Sequence, residues 1–257
     1  MTSPIRPLVA GNWKMNGTGP ALDQLRAISE GLDALPAGID LLICPPSTLV
    51  ERASRAARGS RLMIGGQNCH DQSEGAFTGE ISAAMLADSG ASHVITGHSE
   101  RRTLNGETSE QVCAKAKAAL AQGLVAIICI GETEAERRAG QALSVVEEQL
   151  AASVPSSATA AHVVIAYEPV WAIGTGLTPT IDQIAEVHAR IRDRLDAWFG
   201  ADGRAMRILY GGSVKAGNAR ELLSIAHVDG ALIGGASLKA SDFLAIASAY
   251  HDIAGSR

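Results

Sequence analysis

The stretch Val163–Asp182, VVIAYEPVWAIGTGLTPTID, contains the repeating unit that decides the fold. Its first five residues are apolar on both faces of an extended chain, which is typical of a parallel strand buried on both sides. A loop with glycine and proline follows, and Thr180 then opens an amphipathic helix that we predict over Thr180–Phe199. The stretch therefore predicts a strand, a loop and a helix in that order.

The same order recurs along the whole chain. Apolar runs predict strands at Leu8–Gly11, Asp40–Cys44, Leu62–Gly65, His93–Thr96, Val125–Ile130, Val163–Tyr167, Arg207–Tyr210 and Gly230–Ile233. Helical patterns lie between them at Ala21–Leu35, Ser47–Ala57, Glu107–Gln122, Glu134–Ala152 and Thr180–Phe199. Strands and helices that alternate without an interior linker predict an α/β fold, a single eight-stranded parallel (β/α) barrel. We expect residues 1–257 to form one domain.

The composition excludes several classes of partner. The 257 residues are 46% hydrophobic and 19% charged, with a net charge of −5 and an isoelectric point near 5.8. We therefore expect neither nucleic acid nor an anionic membrane as partner, because both need clustered Lys and Arg. No signal sequence or membrane-length apolar run is apparent, so we expect a cytoplasmic protein. The spacing of Cys44, Cys69, Cys113 and Cys129 predicts free thiols and no metal site.

The unusual residues of this chain follow the predicted strands. In a β/α barrel the active site lies in the loops at the carboxyl ends of the strands. The residues in those loops are, in chain order, Asn12 and Lys14, His98, Glu168, Gly211-Gly212-Ser213 and Gly234-Gly235.

The two glycine pairs suggest a phosphate site. Backbone N–H groups can converge on a phosphate only where side chains do not block the approach. Gly211-Gly212-Ser213 and Gly234-Gly235 leave neighbouring strands and enter short helices, which is the arrangement expected for phosphate after strands seven and eight. One such pair would more often be a tight turn, but two at adjacent strand ends favour phosphate.

Glu168, His98 and Lys14 are candidates for proton-transfer chemistry. Pro169 holds Glu168 extended among apolar residues, and burial there is expected to raise the carboxyl pKa toward that of a general base. A helix beginning near Ser99 is expected to lower the pKa of His98 and keep its ring neutral. Each residue alone could be structural, as a capping glutamate, a strand-end histidine or a surface lysine. Their convergence on one rim beside the phosphate loops favours catalysis.

Val170–Gly176 has the pattern of a lid. Pro169 and Pro179 stiffen its two ends, and Gly174-Thr175-Gly176 forms the tip. Such a segment can close as a unit over a ligand and exclude water.

Several motifs resemble the signatures of the triosephosphate isomerase family. They are NWKMN at 12–16, QN at 67–68, GAFTGE at 75–80, GHSERR at 97–102, CIGE at 129–132, AYEPVWAIGTG at 166–176 and YGGSV at 210–214. With their flanks they extend from residue 8 to about residue 250. The resemblance implies a cofactor-free barrel enzyme of glycolysis and gluconeogenesis. It would interconvert D-glyceraldehyde 3-phosphate and dihydroxyacetone phosphate by proton transfer through an enediolate.

The resemblance also implies a role for each site residue. Glu168 would be the base, His98 the electrophile at the substrate oxygens, and Lys14 with Asn12 would stabilise the oxyanion. The phosphate would be held by backbone N–H groups of Gly174, Ser213, Gly234 and Gly235. The residues that support these groups would be Ser99, Glu100 and Cys129.

The loop Gln67–Glu80 predicts a homodimer. It is long for a connection between a strand and a helix, and its tip places Phe77 among glycines and small residues. An exposed phenylalanine suggests insertion into a partner. The resemblance implies that Phe77 and Thr78 pack beside the neighbour's site; the alternative is a loop folded back on its own barrel.

Three other functions remain open. An isomerase of the same family that acts on a four-carbon sugar phosphate would need the same proton shuttle and phosphate site. A Schiff-base aldolase needs a lysine within a barrel strand. The lysines that fall on helices or loops instead are Lys115, Lys117, Lys215 and Lys239. That leaves Lys14 as the sole candidate at the rim. The intact set of candidate catalytic residues disfavours a barrel retained only for binding.

Overall fold

Parallel strands pair in chain order and close on themselves. A computed structural model describes residues 5–173 and 178–254. Its strands are β1 (Leu8–Asn12), β2 (Asp40–Cys44), β3 (Leu62–Gly66), β4 (His93–Thr96), β5 (Val125–Ile130), β6 (Val163–Tyr167), β7 (Arg207–Tyr210) and β8 (Gly230–Ile233). The last strand pairs with the first, Leu8 opposite Gly230, so the predicted eight-stranded barrel is confirmed. Only β1 and β3 extend beyond their predicted bounds, to Asn12 and Gly66.

Helices cover the outside of the barrel. In the described ranges they are α1 (Leu22–Gly31), α2 (Val50–Ala56), α3 (Ala83–Asp88), α4 (Ser99–Asn105), α5 (Ser109–Ala121), α6 (Glu134–Arg138), α7 (Ala142–Ser153), α8 (Ile181–Phe199), α9 (Ala201–Ala205), α10 (Ala216–Leu223), α11 (Ala240–Ala247) and α12 (Tyr250–Ala254). Short 3-10 segments occupy Gly19–Ala21, Leu32–Ala34, Ser47–Leu49, Val170–Ala172 and Gly235–Leu238. Of the helices described, none is both long and apolar enough to cross a membrane.

The helix predicted over Glu134–Ala152 is in fact two helices. Gly140, with a φ of +72°, turns the chain between α6 and α7. The helix predicted to start at Thr180 begins one residue later, as α8, and Thr180 is the N-cap of that helix. The Thr180 side chain accepts a hydrogen bond from Gln183 N, and the Gln183 side chain accepts one from Thr180 N. Both differences follow from local backbone geometry that the hydrophobic pattern does not encode.

Alternation along each strand divides the core into two layers. One layer fills the barrel itself with Leu8, Ala10, Leu42, Cys44, Ile95, Ile127, Cys129, Val164, Ala166, Leu209 and Leu232. Intervening strand residues such as Val9 and Val94 pack outward against the helices. The four cysteines are free thiols, as predicted. Because the strands are parallel, all their carboxyl ends lie at one rim, where the candidate residues meet.

Candidate active site

The loops after β1, β4, β6, β7 and β8 surround a cavity of about 290 Å³. Among the residues that line it are Asn12, Lys14, His98, Glu168, Ser213, Gly234 and Gly235. Residues 174–176, including Gly174 and the rest of the predicted lid tip, lie outside the described residues. A cavity of this volume fits a small ligand.

Glu168 is held at the end of β6. Its N–H donates to Ile130 O at 2.8 Å, and its side chain is only 3% exposed. Gly211, the first residue after β7, has no side chain, and Glu168 occupies the space that a side chain there would fill. A Cβ atom at Gly211 would lie 2.8 Å from Glu168 Cγ. The glycine is therefore needed for packing as well as for any phosphate contact.

The carboxylate of Glu168 is bound to the loop after β4. Its Oε1 lies 2.9 Å from His98 Nε2, and Ser99 donates to it through N at 3.0 Å and through Oγ at 3.3 Å. Burial alone would raise the pKa of the Glu168 carboxyl, but His98, Ser99 N–H and the Cys129 thiol together lower it. The expected rise in the Glu168 pKa is therefore wrong for this arrangement, because the sequence pattern did not show these donors.

His98 is the N-cap of α4. Its Nδ1 accepts a hydrogen bond from Glu100 N at 3.2 Å, so this pattern assigns the ring proton to Nε2, which faces Glu168. Burial alone would lower the pKa of His98, but the Glu168 carboxylate raises it above the ordinary value. The expected lowering of the pKa is therefore wrong while Glu168 is in contact. The neutral tautomer nevertheless fits the hydrogen bonds around the ring.

Lys14 lies in a strained backbone conformation. Its φ of 52° is in the left-handed region, which residues with a Cβ rarely adopt. Its N–H donates to Asn12 Oδ1 at 3.0 Å, and its carbonyl accepts from Gln67 Nε2 at 2.8 Å. Its Nζ lies 2.6 Å from Glu100 Oε1. These contacts fix the ammonium group at the cavity wall. Sequence reasoning missed this role of Gln67, which it identified only as part of a motif.

The loops after β7 and β8 are held by the helical segments that follow them. Asn218 Nδ2 donates to Ser213 O at 3.2 Å, and Ser237 donates to Gly234 O through both Oγ and N, at 2.7 and 2.8 Å. Because their carbonyls are occupied in this way, both loops have a defined backbone. Lys215, at the start of α10, also lines the cavity, so Lys14 is not the sole lysine at the rim.

Glu132 holds the start of the segment that follows Glu168. The Glu132 side chain is fully buried, and its Oε1 accepts from Trp171 Nε1 at 2.8 Å, from Arg137 Nε at 2.9 Å and from Tyr167 OH at 3.2 Å. Its backbone carbonyl accepts from Val170 N at 3.1 Å. Sequence reasoning found Glu132 only as a motif residue, because its partners Tyr167 and Trp171 are distant along the chain.

A wider groove of about 500 Å³ opens beside the cavity. The two spaces share Asn12, Lys14 and His98. At the groove, Met15 is 97% exposed and Leu104 is 79% exposed. Every residue of 71–80 is exposed, and the Phe77 ring stacks on His70 with centroids 4.1 Å apart. Apolar surface of this kind beside a site is typical of an interface.

Known proteins are similar to this chain over nearly its whole length. The family model described as triosephosphate isomerase matches residues 7–250. A triosephosphate isomerase of Ruegeria pomeroyi is 62% identical over 251 residues, which cover 97% of this chain and 99% of that protein. One of Rhizobium meliloti is 59% identical over 254 residues, which cover 98% and 99%. The crystal structure of triosephosphate isomerase from Bartonella henselae aligns with a TM-score of 0.91 at 53% identity, covering 96% of this chain and 100% of that one.

Proposed function

The chain belongs to the triosephosphate isomerase family, and we propose that Glu168, His98, Lys14 and Asn12 perform that family's reaction in the 290 Å³ cavity. It is an aldose–ketose isomerase of glycolysis, which interconverts D-glyceraldehyde 3-phosphate and dihydroxyacetone phosphate. The observation that carries the assignment of residues is the buried carboxylate of Glu168, 2.9 Å from His98 Nε2 in a cavity that Lys14 also lines.

In the proposed mechanism Glu168 exchanges its contacts with His98 and Ser99 for the substrate. It accepts the proton from carbon 1 of dihydroxyacetone phosphate, and the C–H electron pair becomes the double bond of an enediolate. The Nε2–H of His98 donates to the developing oxyanion, which Lys14 and Asn12 stabilise by charge and hydrogen bonding. A neutral imidazole opposite a carboxylate base is the known pattern of this family. Glu168 then returns the proton to carbon 2, and transfer of a proton between the two oxygens completes the aldehyde.

The environment of Glu168 suits a base whose strength changes during the reaction. While His98 and Ser99 are in contact, the lowered pKa keeps the carboxylate ionised and ready to accept a proton. Once those contacts are exchanged for an apolar part of the substrate, burial remains as the cause that raises its pKa. The carboxylate would thus become a stronger base when it faces the C–H bond.

We assign the substrate phosphate to the loops after β7 and β8. Ser213, Gly234 and Gly235 line the cavity there, and Lys14 Cε lies 3.6 Å from the position of a Cβ at Gly234. Backbone N–H groups without intervening side chains, beside an ammonium group, are suited to a dianion. The proposed contact from Gly174 lies outside the described residues.

We further propose a cytoplasmic homodimer in which each whole chain forms one catalytic domain. Phe77 is 42% exposed on a loop in which every residue of 71–80 is exposed, and the groove beside Asn12, Lys14 and His98 has the apolar residues Met15 and Leu104 in its wall. A two-fold arrangement would insert this loop of each subunit into the groove of its partner. Phe77 and Thr78 would then lie beside the other subunit's site.

A steady-state assay tests the function. We expect efficient turnover of glyceraldehyde 3-phosphate and dihydroxyacetone phosphate, and much weaker turnover of four-carbon sugar phosphates. The four-carbon alternative is not favoured, because relatives with about 60% sequence identity over nearly the full chain are triosephosphate isomerases. Borohydride reduction in the presence of substrate should trap no adduct at Lys14 or Lys215, which would distinguish the enzyme from a Schiff-base aldolase. Absence of triose phosphate turnover would overturn the proposal.

A further inference from the structure

The orientation of His98 depends on the residue that precedes it. Gly97 has a φ of +68°, so the chain turns sharply where β4 ends. Both peptide groups of Gly97 are held by side chains: its N–H donates to Glu107 Oε1 at 3.1 Å, and its carbonyl accepts from Arg102 Nε at 3.0 Å. A Cβ at Gly97 would lie 3.1 Å from one Arg102 terminal nitrogen. The turn and the arginine are therefore packed against each other.

The rest of the Arg102 guanidinium reaches three other elements. One terminal nitrogen donates to Ser109 Oγ in α5 at 3.1 Å. The other donates to Cys129 O in β5 and to Ser153 Oγ in α7, both at 3.1 Å. Arg102 thus binds the backbone beside the electrophile His98, and also the backbone of the residue whose thiol contacts Glu168.

We propose that Arg102 is a positioning residue, which fixes the distance between the loop after β4 and strand β5 and thereby aims His98 Nε2 at the reacting atoms. The inference rests on the proposed role of His98. A guanidinium holds its donors in a rigid planar fork, so one side chain can meet four acceptors at fixed angles. A lysine keeps the charge, but its single nitrogen cannot bridge the two carbonyls and two hydroxyls in the same geometry.

The first test compares Arg102→Lys with Arg192→Lys as a matched control. Arg192 is buried, whereas Arg102 is partly buried, and like Arg102 it donates to a backbone carbonyl, that of Gly203 at 2.5 Å; it also donates to Asp229 at 2.7 Å. Asp229 directly precedes β8, so this arginine lies at the opposite end of the barrel from the site. We expect both variants to unfold at lower temperature. Only Arg102→Lys should lose turnover, by about 10- to 100-fold in kcat with KM little changed, because His98 is misplaced by a fraction of an ångström.

A double-mutant cycle separates positioning from general weakening of the fold. His98→Gln should lower kcat strongly by itself, and Arg102→Lys should cost little more in that background, because the group it aims is gone. Equal losses in both backgrounds would overturn the inference, as would Arg102→Lys with wild-type kcat. If His98→Gln itself keeps near-native kcat, the proposed role of His98 fails, and this outcome is recognised independently of Arg102.

The resonances of the His98 ring provide a readout that a merely structural role would not move. In protein labelled with ¹⁵N-histidine, Arg102→Lys should shift the Nε2 signal of His98, whereas Arg192→Lys should leave it unchanged. If Arg102→Lys fails to fold, the Ser109→Ala/Ser153→Ala double variant removes two of the four anchors and keeps both carbonyl bonds. A reduced kcat and a moved His98 signal would support positioning by Arg102; wild-type values of both would overturn it.

Discussion

Replacing Glu168 by glutamine tests the proposed base most directly. The variant Glu168→Gln keeps the shape of the side chain but cannot accept a proton from carbon. Loss of a general base costs about 100- to 10,000-fold in rate, which corresponds to roughly 3 to 5.5 kcal/mol of transition-state stabilisation. Because the side chain is only 3% exposed, water has poor access to replace it, and we expect a loss at the upper end of this range.

The same variant should leave the fold largely intact at neutral pH. Glu168 accepts from His98 Nε2 at 2.9 Å and from Ser99 N and Oγ at 3.0 and 3.3 Å. One of the two carboxylate oxygens becomes an NH₂ group, which cannot accept, and each bond that is weakened or lost costs about 1 kcal/mol, but the cost of burying a carboxylate disappears as well. The net change should be about 1 to 2 kcal/mol, which for a chain of this size corresponds to a few degrees in Tm.

The stability difference should grow at acid pH, for a reason that involves His98. In the wild type Glu168 raises the pKa of His98 in the folded protein above its value in the unfolded chain, which is about 6.5. The protonation of His98 therefore stabilises the fold at pH values below about 6.5, and this stabilisation is lost as the pH rises through the pKa of the folded state. In Glu168→Gln that cause is removed, and burial, the largest of the causes, then lowers the pKa of His98. In the variant, neutral His98 stabilises the fold above a pH of about 6.5, and this stabilisation is lost as the pH falls through the lowered pKa of the folded state.

The assay is therefore a coupled isomerase measurement together with thermal unfolding at about pH 7.5 and about pH 5.5. Glu147→Gln is the matched control, since Glu147 pairs with Arg190 and Arg194 on the outer helices and has no role in the proposed chemistry. Near-native turnover of Glu168→Gln would refute the mechanism. Equal loss of Tm at both pH values would refute the proposed coupling between Glu168 and His98.

Three further predictions concern neighbouring parts of the molecule. In wild-type protein, ¹⁵N NMR should show the His98 ring titrating above the ordinary value while Glu168 is in contact, and a phosphate-bearing inhibitor that displaces the contact should lower that pKa; an unchanged titration would contradict the pairing. Glu132→Gln should destabilise by about 3 to 5 kcal/mol, since it leaves Arg137 without its buried counter-charge, and a loss below about 1 kcal/mol in denaturant unfolding would argue against the pair. Sedimentation should show a wild-type dimer and, for Phe77→Asp/Thr78→Arg, a monomer of much lower activity; a fully active monomer of either would exclude a role of the interface in ordering the site.

Much of the fold could be predicted because its signals are local. Strand β6 is apolar at every position from Val163 to Tyr167, and the structure places the strand there with the predicted bounds. Glu168 and His98 follow strand ends, and parallel strands in a barrel bring such positions to one rim whatever the details of packing. The cavity that unites them with Ser213 and Gly234 follows from that topology.

The charge states at the site could not be predicted in the same way. The sequence shows that Glu168 follows apolar residues, and from this alone a raised pKa is expected. The structure reverses the direction, because Ser99 and His98 approach from a strand two places away in the barrel. Electrostatic interactions depend on distances of a few ångströms between residues far apart in the chain, and hydrophobic patterns carry no information about those distances.

The supporting contacts belong to the same class. The residues of the loops can be recognised as motifs in the sequence. The sequence does not, however, predict the hydrogen bonds from Gln67 to the carbonyl of Lys14 or from Arg102 to the carbonyl of Cys129. By itself the sequence determined the barrel and the side chains that meet at its rim, since these follow from periodicity and from where strands end. Only the tertiary structure decided the protonation preferences of Glu168 and His98, the left-handed backbone conformation of Lys14 and the hydrogen bonds of Arg102 beside His98. Each of these arises from hydrogen bonds that form once the barrel has closed.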